Sequence, residues 1–355
     1  MKLVVFLFFA AFLNFGFFEE LQVPKRYRIN LDLPPEERWN QVIDDHIDAI
    51  PDVVNETKSY VPEALQKPLF WLAEKISVLF SEDYVREMKA IANRTGLPFG
   101  EIAGLNILYD ITSFNRHIFA PFACTSIIAE DSKGRIYHGR NLDYDMGDLL
   151  RNVTIIADFT RNGTILFSTP TFALYVGVLT AQKPNAYAVS LNARYSGGYV
   201  DNILMEIITM FKNPVSFDLR TTLETKHNYA DAIQHLSRVH FVAPSYLIVS
   251  GTNSGEGVVI TRNRWSAADI YGLNTAKGRW FLIETNFDRW KAQGDDRRQM
   301  AKKFLTELKR DNLNSKTLFT VLGKAPINNN LTIFSTVMSA AMPEILYQTT
   351  TIRIK

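Results

Sequence analysis

The chain has 355 residues, 46% of them hydrophobic, and its 39 basic side chains nearly balance 37 acidic ones. A chain of this length and composition can bury the core of one or two globular domains, which excludes an intrinsically disordered protein. No basic run is interleaved with aromatic residues as a nucleic-acid surface requires, so we expect no nucleic-acid partner.

The N-terminal residues predict entry into the secretory route. Lys2 precedes an apolar run that ends before Glu19, as in a signal peptide over residues 1–18. The run is shorter than the roughly 20 apolar residues of a spanning helix, so a membrane anchor is the less favoured alternative. Acceptors for N-linked glycans follow, which secreted proteins tend to carry on exposed loops: Asn55, Asn93, Asn152, Asn162 and Asn330.

Residues 22–122 have a mainly helical pattern. Pro62 and Glu63 suit the first turn of a helix whose apolar residues recur at three-to-four spacing on one face: Leu65, Leu69, Leu72, Ile76 and Leu79. Packing of this stripe in the core is the favoured interpretation. The alternative is a lipid-contacting surface that includes Leu69, Phe70 and Trp71.

After Cys124 the sequence changes to short runs of β-branched and aromatic residues. Residues 131–134 and 161–163 each separate two such runs and predict hairpins. Further strands are expected at 171–182, 186–191, 245–250, 257–262, 280–285 and 331–338, and helices at 200–211, 229–238 and 296–308. Blocks of strands followed by blocks of helices predict an α+β fold, with one boundary between Pro121 and Cys124.

Cys124 is the only cysteine, so it has no disulfide partner in a secreted chain. A lone cysteine is commonly an unreactive buried thiol. The sequence has no phosphate-binding loop, HExxH helix, Cys/His cluster or Gly-x-Ser-x-Gly elbow, so we expect neither a cofactor nor a metal. His138 is the nearest histidine for a Cys-His pair, but a lone histidine more often makes ordinary hydrogen bonds.

Arg140 and Asp143 lie near the end of the first hairpin. Because side chains alternate along a strand, Arg140 and Asn141 face opposite sides. If Arg140 points at the beginning of the neighbouring strand, its guanidinium can hold the Cys124 thiolate, and Asp143 can accept a hydrogen bond from the α-amine. An Arg-Asp pair that only fixes a turn is an equal alternative on these residues alone.

Segments along most of the chain resemble the family of acid ceramidase and N-acylethanolamine acid amidase. The two that surround the cysteine are CTSIIAED at 124–131 and HGRNLDY at 138–144. The others occur in the family's order and spacing: RINLD at 28–32, YVG at 175–177, GEGVVITR at 255–262, ETNFDRW at 284–290 and DDRR at 295–298. So many ordered segments make the resemblance specific.

The resemblance implies the four-layer αββα fold of N-terminal-nucleophile hydrolases and an inactive precursor that cleaves itself between Ala123 and Cys124. Residues 19–123 would form a helical α chain, the pro-region, and residues 124–355 the catalytic β chain with which it stays associated. The freed α-amine, with a reference pKa of about 7.7 to 8.0, would be the base that no histidine supplies.

The family's site residues are carried over position by position. Cys124 would be the nucleophile, and Arg140 and Asp143 would steady its thiolate and amine. Asn286 would donate to the oxyanion, and Arg297 would fix the substrate pocket or Asp143.

One position, Ala193, departs from the family's pattern. Relatives usually have a glutamate here that assists proton handling, and an alanine cannot replace a carboxyl group in proton transfer. A catalytically inactive lipid-binding relative, with Cys124 as a buried thiol, is therefore retained as an alternative.

The resemblance also implies the substrate, an N-acyl lipid that is reached at a membrane or micelle surface in the lysosome or after secretion. Hydrolysis would pass through a fatty-acyl thioester on Cys124. N-acylethanolamine is favoured over ceramide because the chain lacks the additional cysteines of the ceramidase and has TVMSA at 336–340, as the amidase does. A hydrophobic pocket discriminates related acyl chains only weakly.

Overall fold

The structure is a computed structural model that describes residues 20–112, 123–194, 214–291 and 295–354. The predicted signal peptide, the predicted helix at 200–211 and Pro121 lie outside these residues. Within the described ranges, no helix is both long enough and apolar enough to cross a membrane.

The described residues form strands and helices on both sides of Cys124. The strands are β1 (Glu20–Gln22), β2 (Arg26–Asn30), β3 (Ala123–Glu130), β4 (Ile136–Asp143), β5 (Thr154–Arg161), β6 (Thr164–Phe172), β7 (Thr180–Lys183), β8 (Tyr187–Ala193), β9 (Ser245–Ser250), β10 (Gly257–Arg262), β11 (Ala267–Gly272), β12 (Phe281–Glu284), β13 (Thr332–Met338) and β14 (Thr351–Ile354). The helices are α1 (Asn40–Asp45), α2 (Ile50–Ser59), α3 (Glu63–Ile76), α4 (Glu82–Thr95), α5 (Phe99–Thr112), α6 (Gly147–Asn152), α7 (Val215–Thr225), α8 (Tyr229–Arg238), α9 (Asp296–Leu308), α10 (Ser315–Leu322) and α11 (Glu344–Thr349).

Two sheets face each other in the centre of the molecule. One has the strand order β1-β14-β13-β4-β3-β12, and the other has the order β11-β10-β9-β8-β7-β6-β5-β2. The middle strands β3 and β4 pack against β8 and β9, while α9, α10 and α11 cover the outer face of the first sheet. Helices α7 and α8 and the N-terminal helices cover the second sheet, where Trp39 packs edge to face on Phe159. This layering confirms the predicted α+β, αββα fold.

Most of the predicted elements after Cys124 are confirmed. Strands β9 and β10 and helices α8 and α9 have the predicted bounds, and both hairpins are present. In the second hairpin turn Asn162 and Gly163 have φ values of 50° and 74°, which asparagine and glycine adopt most readily. Strands β11 and β14 and helices α6, α7, α10 and α11 were not predicted.

The prediction of one strand over residues 171–182 is wrong. Strand β6 ends at Phe172 and β7 begins at Thr180. Between them the backbone bonds to a helix instead of a strand, because Asn106 of α5 accepts from the Val176 N–H at 2.8 Å and donates to the Leu174 carbonyl at 3.0 Å. Apolar composition alone does not distinguish such a buried loop from a strand.

The segment before Cys124 is mainly helical, as predicted, but it also supplies two unpredicted strands. β1 pairs antiparallel with β14 in one sheet, and β2 pairs parallel with β5 in the other. The segment before the cysteine is therefore hydrogen-bonded into both sheets.

Helix α3 differs from its predicted packing. Leu65, Leu69 and Leu79 are 48%, 43% and 40% exposed, so the core-packing interpretation is wrong for these three residues of the stripe. Phe70 instead packs on α5, where a Cβ at Gly104 would lie only 2.9 Å from the Phe70 ring. Trp71, which is not one of the residues of the predicted stripe, is 60% exposed.

All five predicted glycosylation positions are exposed. Asn162 lies in a hairpin turn and Asn330 in the connection before β13, as expected of loop acceptors. Asn55, Asn93 and Asn152 lie in α2, α4 and α6, so the expectation of loops is wrong for these three.

A buried ion pair also joins the segments before and after Cys124. Glu87 of α4 and Arg220 of α7 are fully buried, and Arg220 donates to both carboxylate oxygens at 2.5 and 2.7 Å. Trp39 and Arg38 each donate to the same carboxylate at 2.9 Å. These partners are needed because an unpaired charge at such a position would lose its hydration without compensation.

Replacement of Glu87 with alanine should destabilise the protein strongly, because it leaves the buried Arg220 with only the partly buried Glu224 as a carboxylate partner. We expect a loss of about 3 to 5 kcal/mol in the free energy of unfolding, measured by urea denaturation. Glu36→Ala is the control, since it breaks a pair with Arg86 that lies on the surface. Equal losses in the two variants would contradict the role of the buried pair.

Candidate active site

Cys124 lies at the second position of β3, between β4 and the edge strand β12 of the first sheet, and its side chain is fully buried. Its Cα pairs with Leu142 of β4, so the two side chains share one face of the sheet. That face is directed at the second sheet, because Ser126, two residues further on, hydrogen-bonds to Ser190 and Asn192 of β8. The thiol therefore lies between the two sheets.

Arg140 contacts the thiol, which is one of the two alternatives that the sequence left open. Its Nη2 donates to the Cys124 Sγ at 3.1 Å and to the Leu191 carbonyl at 2.9 Å. Alternation is also confirmed, since Asn141 faces the opposite side and donates to the Leu322 carbonyl. The guanidinium therefore places its positive charge directly against the sulfur.

Asn286 and Arg297 hold the backbone of Cys124. The Cys124 N–H donates to Asn286 Oδ1 at 2.9 Å, and Arg297 donates to the Cys124 carbonyl at 2.8 Å and to the same Oδ1 at 3.0 Å. Asn286 Nδ2 donates to the Ala193 carbonyl at 2.9 Å. An amide nitrogen carries two hydrogens, so one of them remains for another acceptor.

Asp143 lies on the opposite face of β4 from the thiol. It accepts from Thr332 Oγ1 at 2.7 Å and from Asn329 Nδ2 at 3.1 Å. Burial raises the pKa of its carboxyl group, and Arg297, 3.8 Å away, acts against this rise. In the described contacts its connection to Cys124 passes through Arg297, and it forms no pair with Arg140.

His138 is directed at serines and does not contact the thiol. Its two ring nitrogens lie 3.1 Å from Ser250 Oγ and 2.8 Å from Ser190 Oγ. Burial lowers its pKa to about 3, so the ring is neutral. The structure thus places no Cys-His pair here.

Within the described ranges, no group of three or more His, Cys, Asp or Glu side chains could hold a metal ion.

Asn192 is a site residue to which the sequence analysis assigned no contact. Its Oδ1 accepts from Arg140, and its Nδ2 donates to the backbone carbonyls of Glu284 and Thr285 at 3.0 and 2.9 Å. It therefore connects the arginine on the thiol to the segment that carries Asn286. Its neighbour Ala193 contributes only its backbone carbonyl to these contacts. Only the packing of β8 on β3 reveals this arrangement, because no local sequence pattern predicts contacts between sheets.

Arg298 holds the chain on both sides of Asn286. It donates to Glu284 Oε1 and to the Phe287 carbonyl, both at 2.5 Å, and to Thr285 Oγ1 at 3.2 Å. Glu284 is almost completely buried, and this burial raises its pKa to about 7, although Arg298 acts in the opposite direction.

A narrow apolar cavity lies on the thiol's side of β4. It measures about 40 Å³ and includes Leu142, the cross-strand partner of Cys124, and Tyr144. Its other walls come from both segments of the chain: Val53, Thr57, Leu105, Met146, Leu150, Phe172, Leu174, Tyr175 and Leu179. Ligand pockets usually exceed roughly 300 Å³, so the cavity must widen before it can hold a long acyl chain.

Comparison with protein families assigns this fold and site to a class of enzyme. The model of linear amide C–N hydrolases of the choloylglycine hydrolase family matches residues 124–304, which are more than half of the chain. The model of the beta subunit of N-acylethanolamine-hydrolyzing acid amidase matches residues 22–79. The protein is therefore an amidase of the linear amide C–N hydrolase class.

Curated relatives narrow the family. The chain is 56% identical over 322 residues to the N-acylethanolamine-hydrolyzing acid amidase of Caenorhabditis elegans, with 90% of each chain covered. It is 38% identical to the N-acylethanolamine-hydrolyzing acid amidase of Oryctolagus cuniculus, and the match covers 90% of this chain and 88% of the relative. It is 37% identical to the acid ceramidase of Homo sapiens, and that match covers 88% of this chain and 82% of the relative. The chain belongs to the family of N-acylethanolamine-hydrolyzing acid amidases and acid ceramidases, which confirms the resemblance.

A solved structure agrees with this assignment. The chain of a Caenorhabditis elegans N-acylethanolamine-hydrolyzing acid amidase ortholog superposes with a TM-score of 0.62 and 57% sequence identity. The match covers 64% of this chain and 99% of that chain. The fold is therefore that of N-terminal-nucleophile hydrolases, as predicted.

Glu284 should make the protein more stable in acid. In the folded state Glu284 keeps its proton up to about pH 7, whereas an ordinary glutamate loses its proton near pH 4.5. The contribution of Glu284 to stability is therefore full below about pH 4.5 and is lost as the pH rises through about 7. Over this range the free energy of unfolding should fall by about 3 kcal/mol.

The variant Glu284→Gln cannot titrate, so it should lack this part of the pH dependence of the free energy of unfolding. Urea denaturation at about pH 5 and about pH 8 measures the difference. Glu307→Gln changes an exposed glutamate of α9 and should keep the wild-type dependence. The same dependence in all three proteins would refute the assignment to Glu284.

Proposed function

We propose that this amidase hydrolyses N-acylethanolamines to a fatty acid and ethanolamine, with Cys124 as the nucleophile. The observation that carries the proposal is the convergence of three side chains on one residue: Arg140 on the thiol, and Asn286 and Arg297 on the backbone. The identity to the relative named as an N-acylethanolamine-hydrolyzing amidase is 56%, against 37% to the acid ceramidase, which favours this substrate over ceramide.

The proposed enzyme is made as a precursor that cleaves itself before Cys124. The thiol adds to the Ala123 carbonyl carbon, the peptide C–N bond breaks as its nitrogen takes a proton, and water then hydrolyses the resulting thioester. The products are a carboxylate at Ala123 and a free α-amine at Cys124. The length of the solved relative's chain supports this cut. That chain is matched almost completely but covers only 64% of the present chain, and residues 124–355 make up a similar share, about two thirds.

Cleavage supplies the base that the site otherwise lacks. The α-amine, whose ordinary pKa is about 7.7 to 8.0, lies beside its own thiol and can take its proton. Arg140 then stabilises the thiolate as it attacks the amide carbon of the substrate. The second Nδ2 hydrogen of Asn286 is suited to donate to the oxyanion, and the α-ammonium protonates the departing amine. Water hydrolyses the acyl thioester.

The proposal requires no carboxyl group at position 193. In the described contacts no carboxylate touches Cys124, and Ala193 offers only its backbone carbonyl to Asn286. The α-amine would therefore carry the proton alone in this chain. The alternative is an inactive lipid-binding protein, in which the chain is never cut.

The acyl chain would occupy the apolar cavity beside Leu142. Because residues from α2 and α5 form part of its wall, the helical segment must remain bound after cleavage. The pairing of β1 and β2 with strands of the later segment and the Glu87–Arg220 pair support such an association between the two chains. Widening of the cavity would accompany cleavage or substrate entry.

The proposed setting is the lysosome or the extracellular space, reached through a signal peptide at residues 1–18 and with glycans at the five exposed acceptors. Substrate would be taken from a membrane or micelle. Large apolar side chains on and just after α3 support contact with such a surface, since each is at least 40% exposed: Leu65, Leu69, Trp71, Val78 and Leu79.

The decisive experiment is to hold the purified glycoprotein at acidic pH and to sequence the N-terminus of any new fragment. We expect a fragment that begins Cys-Thr-Ser in the wild type and none in Cys124→Ala, because that variant lacks the attacking sulfur. The cut protein should then release fatty acid from an N-acylethanolamine. A wild-type chain that stays uncut and inactive would favour the lipid-binding alternative.

The same preparation decides between the two substrate classes. Hydrolysis of ceramide faster than of an N-acylethanolamine with the same acyl chain would identify an acid ceramidase instead. Cleavage of Cys124→Ala at the same position would show that another protease, and not this thiol, cuts the chain.

The exposed face of α3 can be tested separately. The double variant Leu69→Ser and Trp71→Ser should bind liposomes about tenfold more weakly or worse, because it removes two large apolar side chains from the membrane-contacting face. Phe70 is left in place because it packs on α5. Trp265→Ser, which changes a tryptophan that is 64% exposed in the β10–β11 turn, is the control. Unchanged cosedimentation of the double variant would exclude this face.

A further inference from the structure

An open cavity of about 520 Å³ lies at one edge of the sandwich, apart from the thiol. Its walls come from β11 and β12, which are the edge strands of the two sheets, from the turn between them, and from α9. None of the residues to which we assign a catalytic role lines it. The proposed hydrolysis therefore gives this cavity no role.

The wall of this edge cavity is strongly basic. Five cationic side chains line it: Lys277, Arg279, Arg289, Arg298 and Lys302. Two of them have carboxylate partners, because Arg289 pairs with Asp269 at 3.0 Å and Arg298 with Glu284 at 2.5 Å.

The other three cations of the edge cavity, Lys277, Arg279 and Lys302, make no ion pair within the described part of the chain. Arg279 donates only to the Gly272 carbonyl at 2.7 Å and to the Tyr271 hydroxyl at 3.3 Å. The cavity therefore holds at least three positive charges more than its carboxylates balance. Like charges repel more strongly in a cleft with low-dielectric walls than in water, and a bound anion would relieve this repulsion.

Two of the guanidinium groups are held in place before any ligand binds. Both lie over the ring of Tyr271, with the Cζ atoms of Arg279 and Arg289 4.3 and 4.2 Å from the ring centroid. Such stacking fixes a guanidinium plane and leaves its edge available for hydrogen bonds. Fixed donors of this kind are the usual components of an oxyanion site.

We propose that the edge cavity binds an oxyanion of the phosphate or sulfate type. Arginine forks and lysine ammonium groups are the side chains that recognise such groups. A surplus of three positive charges also suits a multiply charged group better than a single carboxylate. The ligand is either a free anion or the phosphate of an anionic lipid headgroup, which present the same chemistry. The site does not depend on the proposed hydrolysis.

The test compares two double variants of the full-length protein in calorimetric titrations with sodium sulfate at low ionic strength. Sulfate is the probe because it keeps both negative charges at neutral and mildly acidic pH, whereas phosphate changes its charge there. The cavity variant is Lys277→Gln with Lys302→Gln, and the control removes two exposed charges elsewhere, Lys303→Gln with Lys316→Gln. Loss of the two cavity charges should weaken sulfate binding about tenfold, and the control should bind like the wild type.

A second arm separates the two sources of the anion. Vesicles of phosphatidylcholine with and without phosphatidylglycerol are cosedimented with the same three proteins. A tenfold loss confined to the cavity variant in the sulfate arm identifies a site for free anions, and such a loss in the phosphatidylglycerol arm alone identifies a lipid headgroup. If the cavity variant equals the control in both arms, the proposal is overturned, whatever the amidase activity of the protein.

Discussion

The buried guanidinium of Arg140 is the interaction on which the centre of the molecule depends. A charge placed between two sheets loses its hydration, and this loss is tolerable only when fixed partners replace the water. The sulfur of Cys124, the carbonyl of Leu191 and the side chain of Asn192 are those partners. They come from strands of both sheets, so the sheets cannot shift without exposing the charge. The same requirement holds a cysteine thiol against a cation.

The segment before the cysteine is structurally part of the same body as the segment after it. It adds an edge strand to each sheet, and Glu87 reaches Arg220 in the interior. A chain cut before Cys124 would therefore keep its contacts, because the sheet hydrogen bonds and the buried ion pair do not pass through the cut. The proposed site would gain an amine without losing the helices that line the apolar cavity.

Periodicity predicted helices α8 and α9 well, because each has one buried face and one exposed face. Strands β9 and β10 have the predicted bounds although both of their faces are buried, whereas β11, whose exposure alternates, was not predicted. Periodicity failed where contacts with other elements decide the structure. The apolar residues between β6 and β7 bond to Asn106 of α5 instead of a strand, and β2 is a short strand that exists only because β5 lies beside it. The stripe of α3 has the spacing of a core helix, but Leu65 and Leu69 remain exposed. Spacing indicates that a face is apolar and does not indicate what covers it.

The sequence by itself determined the α+β class, the two hairpins around Asp131 and Asn162, and the family, because these depend on local alternation, turn chemistry and the order of segments. Alternation on one strand also determined that Arg140 and Asn141 face opposite sides, but which of them faces the thiol stayed open until the structure placed Arg140 against the sulfur. Only the tertiary structure decided that Asp143 reaches Cys124 through Arg297, that His138 bonds to serines, and that Asn192 connects the two sheets. Those contacts join residues far apart in the chain, and they arise from the register and packing of whole sheets, which no short stretch of sequence contains.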